Sequence, residues 1–192
     1  MRAVIVYATR EGQTGRVAIR IADGLRASNN QVDVYDAQSV GAIDWSRYQA
    51  VVIAASVHAG RHEREIVDFV KIHRAELERL SAAFISVTLS EAGAEDPKRT
   101  EAERRRAAGD VQKMIDDFIR ESGWTPARTM PVAGALTYSK YNVLVRFIMK
   151  RISRKQGGPT DTSRDYEFTN WEAVDRFAAS VASRQSPVGS SQ

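Results

Sequence analysis

Continuous apolar runs at residues 4–8, 50–56 and 82–88 read as strands buried on both faces. Residues 32–36 alternate apolar and polar, the pattern of a strand near a sheet edge, and 130–135 supplies a short fifth strand. Helical spacing fills the gaps. Val17, Ile21, Ala22 and Leu25 recur after the first run; Ile66, Phe69, Val70, His73 and Leu77 line one face of a helix expected over 62–79. Val111, Met114, Ile115, Phe118 and Ile119 do the same over 100–121, with a loop expected at 91–96. Strands alternating with helices predict a parallel sheet covered on both faces, joined by right-handed crossovers. Periodicity alone leaves the strand order open.

The alternation breaks between Ala135 and Tyr166. Residues 138–154 predict a helix with Tyr141, Leu144, Val145, Ile148, Met149 and Ile152 on one face. Lys140, Arg146, Lys150, Arg151 and Arg154 lie mostly elsewhere, and no acidic residue occurs from Leu136 to Thr160. Such a basic amphipathic helix suits two readings: a packed helix with a solvated positive face, or an interfacial helix. Val143 and Phe147, apolar on the otherwise polar side, point to the second, with contact to lipid headgroups or to an acidic, apolar ligand. Gly157, Gly158 and Pro159 stop this helix, Tyr166 to Thr169 reads as a short strand, and Trp171, Val174, Phe177, Ala178 and Val181 form a last amphipathic helix capped by Thr169 or Asn170. The small, polar tail at 184–192 is expected to be disordered.

A chain of 192 residues fits one domain, expected over 1–183. Without cysteine, disulfides, thiolate nucleophiles and Cys-ligated metals are excluded. No charged-then-apolar leader precedes the first strand, and no apolar run is long enough to span a bilayer. A net charge of +4 suggests an acidic partner: a membrane surface, nucleic acid or a polycarboxylate. The run Glu101 to Arg106 reads as a solvated helix face, and no aromatic-basic pattern argues for nucleic acid. The three histidines lack metal-ligand spacing, so no metal is expected.

The candidate chemistry begins after the first strand. Thr9, Arg10, Glu11, Gly12, Gln13 and Thr14 form a small, polar stretch leading into a helix start, where two hydroxyls and free N–H groups can hold a phosphate in the favourable field of the helix dipole. An ordinary turn with a Thr cap is the alternative reading. Neither a P-loop NTPase motif nor a dinucleotide fingerprint is present.

Thr9 to Thr14 resembles the phosphate loop of flavodoxins, which hold the FMN phosphate with hydroxyl and backbone donors and no basic clamp. More narrowly, Ala8 to Thr14 resembles the opening of the flavodoxin-like, quinone-dependent protoporphyrinogen oxidases (protoporphyrinogen IX dehydrogenases). Gly134-Ala-Leu-x-Tyr138, the basic helix, Gly157-Gly158-x-Thr160-Asp161-Thr162 and Tyr/Phe-Thr-x-Trp171 match the same family in order and spacing. The resemblance implies an α/β, flavodoxin-like, doubly wound five-stranded parallel sheet of order 2-1-3-4-5, with a long-chain-type insert at about 136–165. In that arrangement three loops converge: Thr9 to Thr14 on the phosphate, and Ser56, Val57, His58, Ala59 and Gly60 with Thr88, Leu89, Ser90 and Glu91 around the ring and ribityl chain.

The implied activity is the FMN-dependent, six-electron oxidation of protoporphyrinogen IX to protoporphyrin IX in heme biosynthesis, with electrons passed to menaquinone or ubiquinone. The implied location is cytoplasmic, peripheral on the inner face of the cell membrane. Tyr141, Val143, Arg146, Phe147, Lys150, Arg151 and Arg154 are the expected contacts to substrate or membrane. His58 stands where flavodoxins often place an aromatic side chain; it is a candidate for stacking or proton exchange, or simply a solvent-facing loop residue. A flavodoxin-type electron carrier, a general FMN-dependent quinone reductase and a nonenzymatic binder on a flavodoxin scaffold are the competing readings. Oligomeric state is not legible.

Overall fold

In the computed structural model, which describes residues 1–155 and 158–183, a six-stranded sheet runs in the order β2-β1-β3-β5-β6, with β4 paired to β3 off this path. The members are β1 (Arg2–Ala8), β2 (Gln31–Asp36), β3 (Ala50–His58), β4 (Arg61–His62), β5 (Ser81–Thr88) and β6 (Arg128–Ala133). All pairs are parallel except β3–β4, so the parallel strands follow the expected order once the two-residue β4 is set aside. The expected tail at 184–192, and Gly157 of the insert motif, lie outside the described residues.

Both sheet faces are covered, as the continuous apolar strands require. Alternate residues of one strand serve opposite cores. Val4, Val6, Val51 and Ile53 pack with α2 (Arg64–Ile72) and α5 (Glu101–Ser122) around Phe84, Phe118 and Trp124. Ile5, Val52 and Ile85 pack on the other side with α1 (Gln13–Ala27) and α7 (Trp171–Ser183). Helix α7 is clasped to α1: Arg20 makes a bidentate pair with Asp175 at 2.7 and 2.8 Å. A Cβ on Gly24 would meet Ala178 at 2.9 Å, so only glycine permits that approach. Where the chain returns to α7, the Gln13 amide donates to Thr169 at 2.7 Å and the Thr169 hydroxyl to the Ala133 carbonyl at 2.7 Å, backing the start of α1.

Three expected elements differ. The helix over 62–79 is shortened and split, because a tight hairpin places Ala59 and Gly60 at φ 47° and 78° and draws His62 into β4. The helix then runs as α2 and, after His73 adopts φ −103°, ψ 15°, as α3 (Arg74–Leu77). The loop at 91–96 is mostly helical. Thr88 caps α4 (Leu89–Glu95) by accepting from the Ser90 N–H at 3.2 Å, which also turns the expected loop residues Leu89, Ser90 and Glu91 into a first helical turn.

The insert helix begins late. Tyr138–Lys140 is a 3-10 turn and α6 spans Val143–Lys155, its start capped by Asn142, whose side chain accepts from the Val145 N–H at 2.9 Å. Fully buried Tyr138 anchors that turn, its hydroxyl donating to the Pro159 carbonyl at 3.0 Å. The insert leaves from β7 (Ala135–Leu136) and returns as β8 (Tyr166–Glu167), an antiparallel pair separate from the main sheet.

Candidate functional site

The loops after β1, β3 and β5 stand side by side at the carboxyl ends of three adjacent parallel strands, the position of ligand crevices in open α/β sheets. Gly12, at φ 101°, is the N-cap of α1 and no side chain caps the helix. The Gly12 N–H instead donates to the Thr9 hydroxyl at 2.9 Å, which closes the loop and leaves the Thr9 proton to donate outward. Thr14 is fully buried in the first helical turn, and its hydroxyl has no partner among the described residues. A buried hydroxyl left so costs about 1–3 kcal/mol, a cost a bound phosphate oxygen would offset. That orphan donor, beside uncapped amides and a glycine that opens the backbone, fits the phosphate of a flavin mononucleotide.

One basic residue reaches this loop from far along the chain. Lys140, in the 3-10 turn of the insert, donates to the Glu11 carbonyl. Its Nζ lies 3.3 Å from where a Cβ on Gly12 would stand. A positive charge thus sits over the loop at Thr9 to Thr14. Gln13, by contrast, turns its side chain to Thr169 and Glu167 and accepts from Arg16, so it braces the loop from behind.

A charged network joins the first two loops. The His58 Nε2–H donates to Glu11 at 2.8 Å and lies 3.5 Å from Glu63. Glu63 is buried, accepting from Arg10 at 3.0 Å and from the Ser56 hydroxyl at 3.3 Å. Two carboxylates against an arginine and a histidine tie the hairpin to the loop after β1. Within that hairpin Ala59 holds a left-handed conformation that costs an L-residue about 1 kcal/mol. Neither Glu63 nor Lys140 was among the residues expected at the site. Glu63 lies in the helix expected over 62–79, off its apolar face, and Lys140 lies on the basic side of the insert.

In the third loop, burial pushes the Glu91 carboxyl up to about 6, with the nearby Glu95 charge adding to the effect. His62 takes no part. It is buried, bonded to the Ser86 hydroxyl at 2.9 Å and set edge-on to Phe84 and Phe118, and burial holds its ring down to about 4, hence neutral.

The insert divides its expected contact residues. Tyr141 is buried edge-on to Tyr138, and Arg146 donates to the carbonyls of Tyr138 and Tyr141 at 3.1 and 3.2 Å, so both turn into the domain. Lys150, Arg151 and Arg154 are exposed, as are Val143 at 84% and Phe147 at 65%. Leu144 and Ile148, on the expected apolar face, are exposed too, because α6 rests on the domain through Met149 and Ser153. Leu144, Phe147 and Ile148 of α6 therefore point away from the protein. Among the described residues no helix is long and apolar enough to cross a membrane.

Comparison with known proteins bears on this arrangement. The flavodoxin domain family model matches residues 4–163. A protoporphyrinogen IX dehydrogenase [quinone] of Escherichia coli strain K12 is 35% identical over 182 residues, covering 95% of each chain. A protein of the same name from Leishmania major is 29% identical over 185 residues, covering 94% of this chain and 74% of that one. Among solved structures, flavodoxin 1 of Bacillus cereus superposes with a TM-score of 0.51 at 17% identity, covering 93% of this chain and 95% of that one, a likeness of fold.

Proposed function

Because the chain belongs to the flavodoxin-like protoporphyrinogen IX dehydrogenase (quinone) family, we propose that it oxidises protoporphyrinogen IX to protoporphyrin IX in heme biosynthesis, using FMN and a membrane quinone. Removing six electrons and six protons from one porphyrinogen would convert three quinones to quinols, so the reaction balances without another oxidant. Residues 1–183 act as one FMN-binding domain. The observation that carries the cofactor assignment is the buried, unpartnered Thr14 hydroxyl in the first turn of α1.

Thr9, Thr14 and the first-turn amides of α1 would hold the phosphate, and Lys140 would add the charge that a hydroxyl loop lacks. Residues 56–60 and 88–91 would flank the ring and ribityl chain. When bound, the isoalloxazine supplies the electron-accepting chemistry, and the protein holds, aims and tunes it. His58, held by Glu11 at 2.8 Å and 3.5 Å from Glu63, stands beside the loop after β1, placed to exchange a proton with substrate. The protein would lie on the cytoplasmic face of the membrane, with Val143, Leu144, Phe147 and Ile148 entering the headgroup region and Lys150, Arg151 and Arg154 meeting anionic lipid.

The test is direct. Acid extraction of the purified protein should release stoichiometric FMN; anaerobic protoporphyrinogen IX should bleach its visible band, and a short-chain quinone should restore it. Release of FAD would overturn the cofactor assignment. Bleaching by a reductase but not by the porphyrinogen would favour an electron carrier.

A further inference from the structure

Between α4 and α6 lies a cavity of ≈ 830 Å³ whose lining includes Leu89, Leu136, Met149, Ile152 and Phe168. We propose that this cavity binds the head and first isoprenoid unit of a lipid quinone, which reaches it along the exposed apolar face of α6. The inference rests on the quinone-dependent reading above and locates the acceptor within it. Its volume falls in the range of small-molecule sites, about 300–1,000 Å³.

The position of its walls is the first reason. Leu89 belongs to residues 88–91, the segment assigned to the flavin ring and ribityl chain, so one wall of the cavity is shared with that segment. The opposite wall is the insert: Met149 and Ile152 face the cavity, and Ile152, 41% exposed, continues outward into Ile148 and Phe147 on the uncovered side of α6. An apolar track thus joins the surface expected to meet lipid with the ring side of the fold.

Charge is the second reason. Glu95 and Asp96 share the cavity with Lys98 and Arg99, and Asp96 is paired with Arg99 at 3.7 Å. Acidic and basic groups balance, so the site lacks the cationic excess that the two propionates of a porphyrinogen would need on leaving water. A neutral, lipophilic ring with an apolar tail meets no such penalty.

The FMN-loaded protein carrying Ile152→Trp, which fills the mouth of the cavity, would be compared with the parent using decylubiquinone as probe. Equilibrium dialysis against the oxidised protein should show the quinone Kd raised at least ten-fold, and steady-state turnover should show the quinone KM raised likewise, with the protoporphyrinogen KM unchanged. Ile152→Glu, which sets a charge at the same mouth without bulk, should do the same and stands in if the tryptophan variant loses flavin or thermal stability. An unchanged quinone Kd in a folded variant overturns the proposal, as does a raised protoporphyrinogen KM with the quinone KM intact, which would give the cavity to the macrocycle. Should the parent fail to oxidise protoporphyrinogen, the assigned reaction falls, while the dialysis comparison still decides the cavity.

Discussion

Thr14→Val separates two roles of one hydroxyl, because the change is nearly isosteric and opposite effects are expected in the empty and loaded protein. The side chain is fully buried and its hydroxyl bonds nothing among the described residues. With FMN bound it would donate to a charged phosphate oxygen, an interaction worth about 1.5–3 kcal/mol. At about 1.4 kcal/mol per factor of ten, the FMN Kd should rise roughly 10- to 150-fold. In the flavin-free protein the same substitution removes an unsatisfied polar group, so urea unfolding should show stability unchanged or raised by about 1 kcal/mol. Affinity is read from the quenching of flavin fluorescence on binding, with riboflavin in parallel as a ligand of the same ring without the phosphate. Riboflavin binding should not change. Equal loss for FMN and riboflavin, or unaltered FMN binding with a destabilised apoprotein, would refute the phosphate assignment and leave Thr14 a packing residue.

Lys140→Gln should weaken FMN binding several-fold at low salt, by about 1 kcal/mol, with the difference shrinking as ionic strength rises; a salt-independent loss would mean that Lys140 only tethers the insert. His62, held down to about 4 by burial, binds fewer protons folded than unfolded between pH 6.5 and 4. Its contribution is therefore present above the unfolded pKa and lost as pH falls, up to about 3 kcal/mol. Chemical denaturation should show a steeper acid limb in the parent than in His62→Gln, and parallel limbs would exclude that role. Reversing Lys150, Arg151 and Arg154 to Glu should release the protein from anionic vesicles, each cation contributing about 1 kcal/mol, while FMN content is unchanged. Cosedimentation measures this, and an unbound parent at low salt would end the membrane reading.

The strands were legible because each buried run is contiguous and bounded by turn residues, and the polar loop at Thr9 to Thr14 because its hydroxyls and glycine lie in one short stretch. What escaped comes from residues distant in sequence. Glu63 meets Arg10 at a separation of 53 residues and Lys140 meets Glu11 at 129, contacts that only the crossovers create. The insert misled for a different reason. A helical wheel assigns apolar residues to the inside, yet α6 docks through Met149 and Ser153 and leaves Leu144 and Ile148 outside. Helix α4 was missed because its start depends on the Thr88 cap, a residue that also ends a strand.

The backing of the phosphate loop also sets an order of events during synthesis. Gln13 finds Thr169 across 156 residues of chain, so at roughly 5–20 residues per second the ribosome delivers that brace about eight to thirty seconds after the loop it supports. Until α7 arrives, the outer side of α1 has nothing at Gly24 or Arg20 to lie against. A product halted ahead of Thr169 would present the loop at Thr9 to Thr14 without its brace to the chaperones and proteases that sort unfinished proteins.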